Sequence, residues 1–187
     1  MDLSWRFDRW FARLPDSPRE EGVVCGIVIR PAAEGHGGRE LPAEVGLTVE
    51  GGISGDRWAE EEDRTPGTQV SLVNVHVLRS LAGEDLHSMA RSGDNLHVDL
   101  ELSEENLPVG TRLQVGEALL EVSSMPHHPC KYFAERYGTV GAKKVARADR
   151  LGQRGRGVLC SVVEAGLVRR DDSIRVLRRG AGPGSDS

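Results

Sequence analysis

The chain of 187 residues carries 24 lysines and arginines against 29 aspartates and glutamates, which gives a formal net charge of −5. This length fits one domain with a substantial core and leaves little room for a second catalytic domain. The acidic balance argues against a general nucleic-acid-binding protein, although it is compatible with a local basic site for an anion.

Cysteine content and apolar segments bear on the location of the protein. The 3 cysteines lack close spacing, so a reducing compartment is expected rather than a disulfide framework. Residues 1–8 lack the cationic start and the uninterrupted apolar stretch of a signal peptide. No apolar run is long enough to span a bilayer. We therefore expect a cytoplasmic protein without a membrane span.

The first element in chain order is an amphipathic helix, predicted at residues 3–14 within an N-terminal segment of residues 1–20. Ser4 or Asp2 can cap this helix, and Pro15 ends it. Its mixed-sign polar face favours docking on the domain, and the alternative is a contact with a second copy, giving a homodimer, or with a membrane surface. Its apolar residues at helical spacing are Leu3, Phe7, Trp10, Phe11 and Leu14.

From residue 22 onward, short β-rich runs alternate with glycine, proline and acidic turns, and the pair Gly116-Glu117 predicts a tight hairpin. Many short strands with few helices favour a closed or nearly closed barrel, so the predicted fold class is mostly β (α+β) with a few peripheral helices. The loop of residues 32–42 is interpreted as a solvated connection, and residues 180–187 are predicted to be disordered. The strands are predicted at 23–30, 47–49, 69–73, 96–100, 111–115, 118–123, 157–164 and 173–177, and the helices at 75–81, 130–136 and 142–151.

Cys130 is the strongest candidate for chemistry. Pro129 at the first position of a helix would place this thiol in the first turn, where unpaired amides and the helix dipole favour a thiolate. Lys131 adds a cation, and the two preceding imidazoles can take the proton of the thiol. The alternative is a half-buried structural cysteine. Cys25 and Cys160 lie in continuous apolar runs and are expected to be structural.

Further polar groups lie in three glycine-containing stretches, which are Gly55-Asp56-Arg57, residues 91–96 (RSGDNL) and residues 154–157 (RGRG). Glycine allows close approach of the backbone to a ligand, and the planar fork of arginine matches phosphate and carboxylate. Taken singly, each stretch is better explained by a structural role, such as a turn with a local ion pair for Gly-Asp-Arg or a strand entry for Gly-Asp-Asn.

Together with Cys130 and in this order, these stretches resemble the MOSC domain, which is named for the C-terminal domain of molybdenum cofactor sulfurase. The resemblance covers about residues 22–177, and it implies a MOSC-like β-barrel at residues 21–179. Asp94 stands where the family has glutamate, which shortens its reach. The matching positions are 55–57, 69–72, 93–96, 107–116, 129–130, 156–158 and 163–168.

The resemblance implies two roles for Cys130. It accepts sulfur as a persulfide from a pyridoxal-phosphate-dependent cysteine desulfurase, or its thiolate ligates the molybdenum of a bound molybdenum cofactor in a protein that reduces N-hydroxylated compounds. The second role needs an external electron-transfer protein, because no flavin or haem signature is present. The resemblance further implies a set of cofactor-binding residues, namely Arg57, Arg91, Asp94, Asn95, Lys131 and Arg156.

Two other classes stay open, a non-catalytic binding module and a small zinc-binding protein. His127 and His128 precede Cys130, but adjacent histidines cannot easily aim at one zinc ion together with this thiol. The role of these two histidines is left open by the sequence.

Overall fold

A computed structural model describes residues 5–35 and 37–181. Within these residues the chain forms a closed β-barrel, a small separate sheet and peripheral helices, which confirms the predicted mostly β fold. The helices are α1 (Trp5–Phe11), α2 (Val75–Ala82), α3 (Leu86–Ala90) and α4 (Lys131–Arg150). The strands are β1 (Glu21–Ile27), β2 (Glu44–Thr48), β3 (Gly52–Ile53), β4 (Val70–Asn74), β5 (Leu96–Asp99), β6 (Arg112–Val115), β7 (Ala118–Val122), β8 (Val158–Glu164), β9 (Gly166–Arg169) and β10 (Ser173–Arg178).

The barrel has the strand order β1-β10-β6-β7-β8-β4-β5 and closes through the pairing of β5 with β1. β4 and β5 are parallel, whereas the other pairs are antiparallel. Parallel neighbours need a crossover connection, which α2 and α3 provide. The Asn74 side chain caps α2 by accepting a hydrogen bond from the amide of His76 at 2.8 Å. This crossover places the start of β5 at Leu96 and the start of β8 at Val158 on either side of Leu72, in the middle of β4.

Alternating side chains of the strands fill the barrel with an apolar core. In β6, Leu113 and Val115 are fully buried, whereas Arg112 and Gln114 are only half-buried. Cys160 lies in the same core with no exposed surface, and Cys25 packs partly buried against the cluster under α2 and α3. Both cysteines therefore have the structural role that the apolar runs predict.

The N-terminal helix α1 docks on α4, as its polar face predicts. Trp10, Phe11 and Leu14 pack against a cluster that includes Phe133 and Val145. A salt bridge of 2.7 Å between Asp8 and Arg147 adds to this contact. The predicted caps Asp2 and Ser4, and the apolar residue Leu3, lie outside the described residues, as does the predicted tail from residue 182 onward.

Several element boundaries differ from those predicted. The helices predicted at 130–136 and 142–151 correspond to the two helical segments of α4, which are divided at Gly138 by its non-helical φ of 77° and lie closer together than predicted. β1 ends at Ile27, and Ile29 makes only a single bridge to Glu40. The sequence analysis missed β3, β9 and α3, which are short. β9 exists because it pairs with β2, as in the register of Val45 with Val168, and such distant pairing leaves no local signal.

No helix in the described parts of the chain has both the length and the apolar character needed to cross a membrane.

Candidate functional site

A cleft of about 200 Å³ lies where the segments that precede β5, β8 and α4 meet. Arg57, Asp94, Asn95, Cys130 and Arg156 all line it, although they come from four separate stretches of the sequence. The closed barrel brings these stretches together, because β8, β4 and β5 are neighbours in the sheet.

Cys130 is exposed and lies at the cap position of α4, not in its first turn as the sequence analysis predicts. Its carbonyl accepts hydrogen bonds from the amides of Phe133 at 3.0 Å and Ala134 at 3.2 Å, while its own φ and ψ are −87° and 174°. An extended residue whose carbonyl accepts the first helical hydrogen bonds is a cap. Pro129 consequently precedes the helix, since the residue before the first turn already has extended geometry. The thiol makes no capping hydrogen bond.

Asp94 and Arg156 form a buried ion pair beside Cys130. The Asp94 carboxylate accepts hydrogen bonds from Nη1 of Arg156, and it has no exposed surface. Burial raises the pKa of Asp94, but the charge and hydrogen bonds of Arg156 together with His127 and Ser92 outweigh this effect and bring the pKa to about 2. The guanidinium also lies 4.9 Å from the centre of the Phe133 ring. Asp94 therefore holds the orientation of Arg156.

His127 contacts this ion pair, with Nε2 at 3.6 Å from Oδ1 of Asp94. Burial lowers the pKa of His127 to about 3, so the ring is neutral at physiological pH. Its Nδ1 atom is buried and has no hydrogen-bond partner among the described residues. His128 does not line the cleft and is exposed.

The buried side chain of Asn95 makes hydrogen bonds to other groups of the protein. Its Oδ1 accepts hydrogen bonds from the amide and the hydroxyl of Ser71 at 3.1 and 3.0 Å. Its Nδ2 donates to the carbonyl of Val28 at 3.2 Å and to Oδ2 of Asp56 at 3.0 Å. These four contacts make Asn95 a positioning residue that ties β5 to β4 and to the Gly-Asp-Arg turn. They differ from the direct cofactor contact expected from the resemblance.

The buried Asp56 carboxylate accepts hydrogen bonds from Arg30. Arg30 lines the cleft and was not among the site residues predicted from the sequence. Nε and Nη2 of Arg30 donate to the two carboxylate oxygens at 2.9 and 2.6 Å. Burial raises the pKa of Asp56, but this bidentate pairing with Arg30 outweighs it and leaves the pKa below its usual range. A local signal for Arg30 exists, because a cation directly after the apolar run Ile27-Val28-Ile29 needs a partner.

Arginines give the cleft an excess of positive charge. Arg39 and Arg136 join Arg30, Arg57 and Arg156 in the lining, against the carboxylates of Glu61 and Asp94. Burial, followed by the charges of Arg136, Arg57 and Arg30, lowers the pKa of Arg39 to about 10. Like charges that destabilise one another in this way attract an anion.

The loop of residues 32–42 is exposed at most of its described positions, as predicted, and Arg39 extends from it to line the cleft. Arg39 donates from Nε to the carbonyl of Ala90 at 3.1 Å, and the carbonyl of Gly35 accepts a hydrogen bond from Arg57 at 3.2 Å. Gly93 has a φ of 81°, and a Cβ atom there would lie 3.1 Å from Nη2 of Arg39. Glycine at this position therefore makes room for the guanidinium.

Two residues predicted from the resemblance, Arg91 and Lys131, do not line the cleft. The carbonyl of Arg91 accepts a hydrogen bond from Arg136 at 3.0 Å, so Arg91 contributes backbone to this region. Nζ of Lys131 lies 4.9 Å from the centre of the Tyr132 ring.

Comparison with known proteins now identifies the family. A family model described as the MOSC domain matches residues 56–175, which include Asp56, Arg57, Cys130 and Arg156. The chain belongs to the MOSC domain family. This confirms the resemblance found in the sequence.

Solved structures share the MOSC fold of this chain. YuaD from Bacillus subtilis has a TM-score of 0.60 and 21% identity over 83% of this chain and 95% of its own. YiiM from Escherichia coli has a TM-score of 0.56 and 23% identity over 85% of this chain and 71% of its own. YiiM from Geobacillus stearothermophilus has a TM-score of 0.59 and 17% identity over 86% of this chain and 77% of its own. A search of curated proteins finds no match.

The described part of this MOSC domain contains no group of three or more histidine, cysteine, aspartate or glutamate side chains placed to hold a metal ion. Cys130 is thus a single thiol beside a cationic cleft. Such a site can supply one soft ligand to a metal whose other ligands come with a cofactor.

Proposed function

We propose that this MOSC protein binds a molybdenum cofactor in the cleft, with the Cys130 thiolate as a ligand of the metal. The observation that carries the proposal is an exposed thiol in a cleft where arginines outnumber carboxylates. The cofactor carries a phosphate, and planar guanidinium groups match that anion. The proposed activity is the reduction of N-hydroxylated compounds with electrons from an external electron-transfer protein.

The donor groups of the cleft fit such a cofactor. A thiolate is a soft ligand, which suits the metal. Nε of Arg156 is buried with no hydrogen-bond partner among the described residues, so one donor in the cleft is still unsatisfied. Arg39, Arg57 and Arg136 are cleft cations that would contact the phosphate, Arg57 while it stays paired with Glu61 at 3.7 Å, and Asp94 orients Arg156. When bound, the cofactor supplies two-electron redox chemistry, while the residues of the chain bind and orient it.

Persulfide transfer is the second candidate, and the exposure of Cys130 favours it. Cys160 is fully buried and Cys25 partly buried, so Cys130 is the thiol that a desulfurase can reach. The Cys130 thiolate would attack the outer sulfur of the desulfurase persulfide. The sulfur–sulfur bond of that persulfide breaks, the desulfurase leaves as a thiolate, and Cys130 carries the new persulfide with no net redox change. We rank this role second, because it gives the arginines of the cleft no task.

One set of measurements tests both roles. Protein purified from a molybdenum-replete host is expected to contain molybdenum and a pterin that fluoresces after oxidation, and Cys130→Ala is expected to lose both. Cys25→Ala is the matched control and should retain them. A persulfide carrier would instead gain sulfane sulfur from a cysteine desulfurase only when Cys130 is present. If wild type and Cys130→Ala behave alike in all assays, the proposal fails and a non-catalytic binding module remains.

A further inference from the structure

A second and larger cavity, of about 790 Å³, lies next to the Cys130 cleft. His127 lines both spaces, but Cys130 lines only the cleft. The volume falls within the range of about 300–1,000 Å³ that is typical of small-molecule sites. Its walls include Pro108, Val109, Met125 and Val158, and the exposed fractions of Val109 and Met125 are 48% and 43%. Large apolar side chains with this exposure favour an apolar ligand.

Asp149 and His127 each contribute to this cavity a polar side chain with one atom that lacks a partner among the described residues, and Asp149 is the one that carries charge. Its Oδ1 accepts a hydrogen bond from the amide of Arg156 at 2.9 Å, whereas its Oδ2 is buried with no partner among the described residues. Burial raises the pKa of Asp149 to about 6. A nearby cation stabilises the ionised form of such a carboxylate, because the positive charge offsets the cost of burying the negative one.

The other charged residues of the wall leave the cavity acidic. Glu104 adds a second carboxylate, and that of Glu105 is paired with Arg19 at 3.0 Å. Arg154 is a cation of the wall, and its Nη1 donates to the carbonyl of Leu107 at 2.7 Å, which leaves its charge in place. The carboxylates of Asp149 and Glu104 outnumber this guanidinium, so the cavity is slightly acidic, whereas arginines predominate in the cleft beside it.

We propose that this cavity is a binding site for a small organic cation, a primary ammonium group on an apolar body, and that Asp149 is the carboxylate that recognises the charge. The apolar body would cover Val109 and Met125, and the ammonium group would donate to Oδ2 of Asp149. An ammonium group is a compact point charge, which suits a single free carboxylate oxygen. The site is independent of the molybdenum or persulfide role of Cys130.

Dansylcadaverine is a suitable probe, since it joins a fluorescent apolar ring system to a primary ammonium group. At pH 8 we expect saturable binding with a blue shift and a gain in emission. The uncharged dansyl pentylamide should bind about tenfold more weakly, because it loses a charge-assisted hydrogen bond. Asp149→Asn should lower the affinity for dansylcadaverine by about tenfold and leave the affinity for the uncharged probe unchanged. The asparagine retains an acceptor for the amide of Arg156.

Ser124→Trp provides a second variant, because Ser124 is an exposed residue of the wall and a large side chain there occupies the cavity. It should weaken both probes. Two control variants should bind both probes as the wild type does. One is Glu117→Gln, which changes a carboxylate that lies in the β6–β7 turn and pairs with Arg169. The other is Cys130→Ala. Equal affinity for the charged and uncharged probes, absence of saturation, or wild-type binding by both Asp149→Asn and Ser124→Trp would overturn the proposal. Loss of binding in Cys130→Ala would do the same, since it would place the probe in the cleft.

Discussion

Arg156 and Asp94 are 62 residues apart in the chain, yet they form a buried ion pair beside the exposed Cys130 thiol. Asp94 comes just before β5, and Arg156 just before β8, while β4 lies between these two strands. Gly157 permits this approach, because a Cβ atom there would lie 2.0 Å from the carbonyl oxygen of Leu72 in β4. The position of Arg156 in the cleft thus depends on the order of the three barrel strands β8, β4 and β5.

Breaking this pair is expected to destabilise the fold. Asp94→Asn leaves the Arg156 guanidinium buried without a counter-charge, which should lower the free energy of unfolding by about 3–5 kcal/mol. Glu121→Gln is a matched control, because Glu121 pairs with Arg112 at 3.0 Å on a half-exposed part of the barrel. That change should cost about 1 kcal/mol or less. Urea unfolding of both variants measures the difference, and equal losses would contradict the buried pair.

Asn95→Ala tests whether this residue positions the site or contacts a ligand. Loss of its hydrogen bonds to Ser71, Val28 and Asp56 should lower the free energy of unfolding by about 2–3 kcal/mol. Molybdenum content per folded protein should fall less than in Cys130→Ala. Unchanged stability together with complete loss of molybdenum would instead indicate the direct contact that the family resemblance implied.

Alkylation should discriminate between the three cysteines. We expect iodoacetamide to label Cys130 in the folded protein well before Cys25, because Cys130 is exposed and Cys25 is partly buried. Cys160 should react only after unfolding, since burial raises its pKa to about 12. Peptide mapping by mass spectrometry after short exposure measures the order. Preferential labelling of Cys160 in the native protein would reverse the assignment.

Two histidines, the fully buried His97 and the largely buried His127, are expected to make the protein less stable in mild acid. Burial lowers the pKa of His97 from 6.5 to about 4 and that of His127 from 6.5 to about 3. Between pH 6.5 and 4 the unfolded chain therefore binds protons that the folded chain does not. As the pH decreases across this window, the free energy of unfolding should decrease by up to about 1.4 kcal/mol per pH unit for each histidine.

Asp149 opposes this trend, because its pKa is raised from 3.8 to about 6, and the folded state binds its proton first. One carboxyl offsets one of the two histidines, so a net loss of stability remains. His97→Leu should flatten the pH dependence by removing one of the titrating groups. Urea unfolding at intervals between pH 7 and 4 measures the slope, and an identical slope in wild type and His97→Leu would contradict the role of His97.

The sequence alone could predict turns, helix caps and short motifs, because these features depend on residues that are close together in the chain. Gly116-Glu117 forms the hairpin between β6 and β7, with Val115 opposite Ala118. Asn74 caps α2 because its side-chain oxygen needs only an amide two residues ahead. The ordered motifs around Asp56, Asn95, Cys130 and Arg156 likewise indicated the family, which the match over residues 56–175 confirms.

The charge of the cleft was decided by the tertiary structure. Arg39 and Arg136 have no local signal, since a surface loop and a helix face commonly carry arginine. They reach the cleft only because the barrel closes and brings their segments beside Gly93 and Asp94. Asp94 and Asn95 became internal partners for the same reason. Sequence neighbours determine turns, caps and strand propensity, whereas the partner of a buried charge comes from contacts between residues distant in the chain, and only the folded barrel defines those contacts.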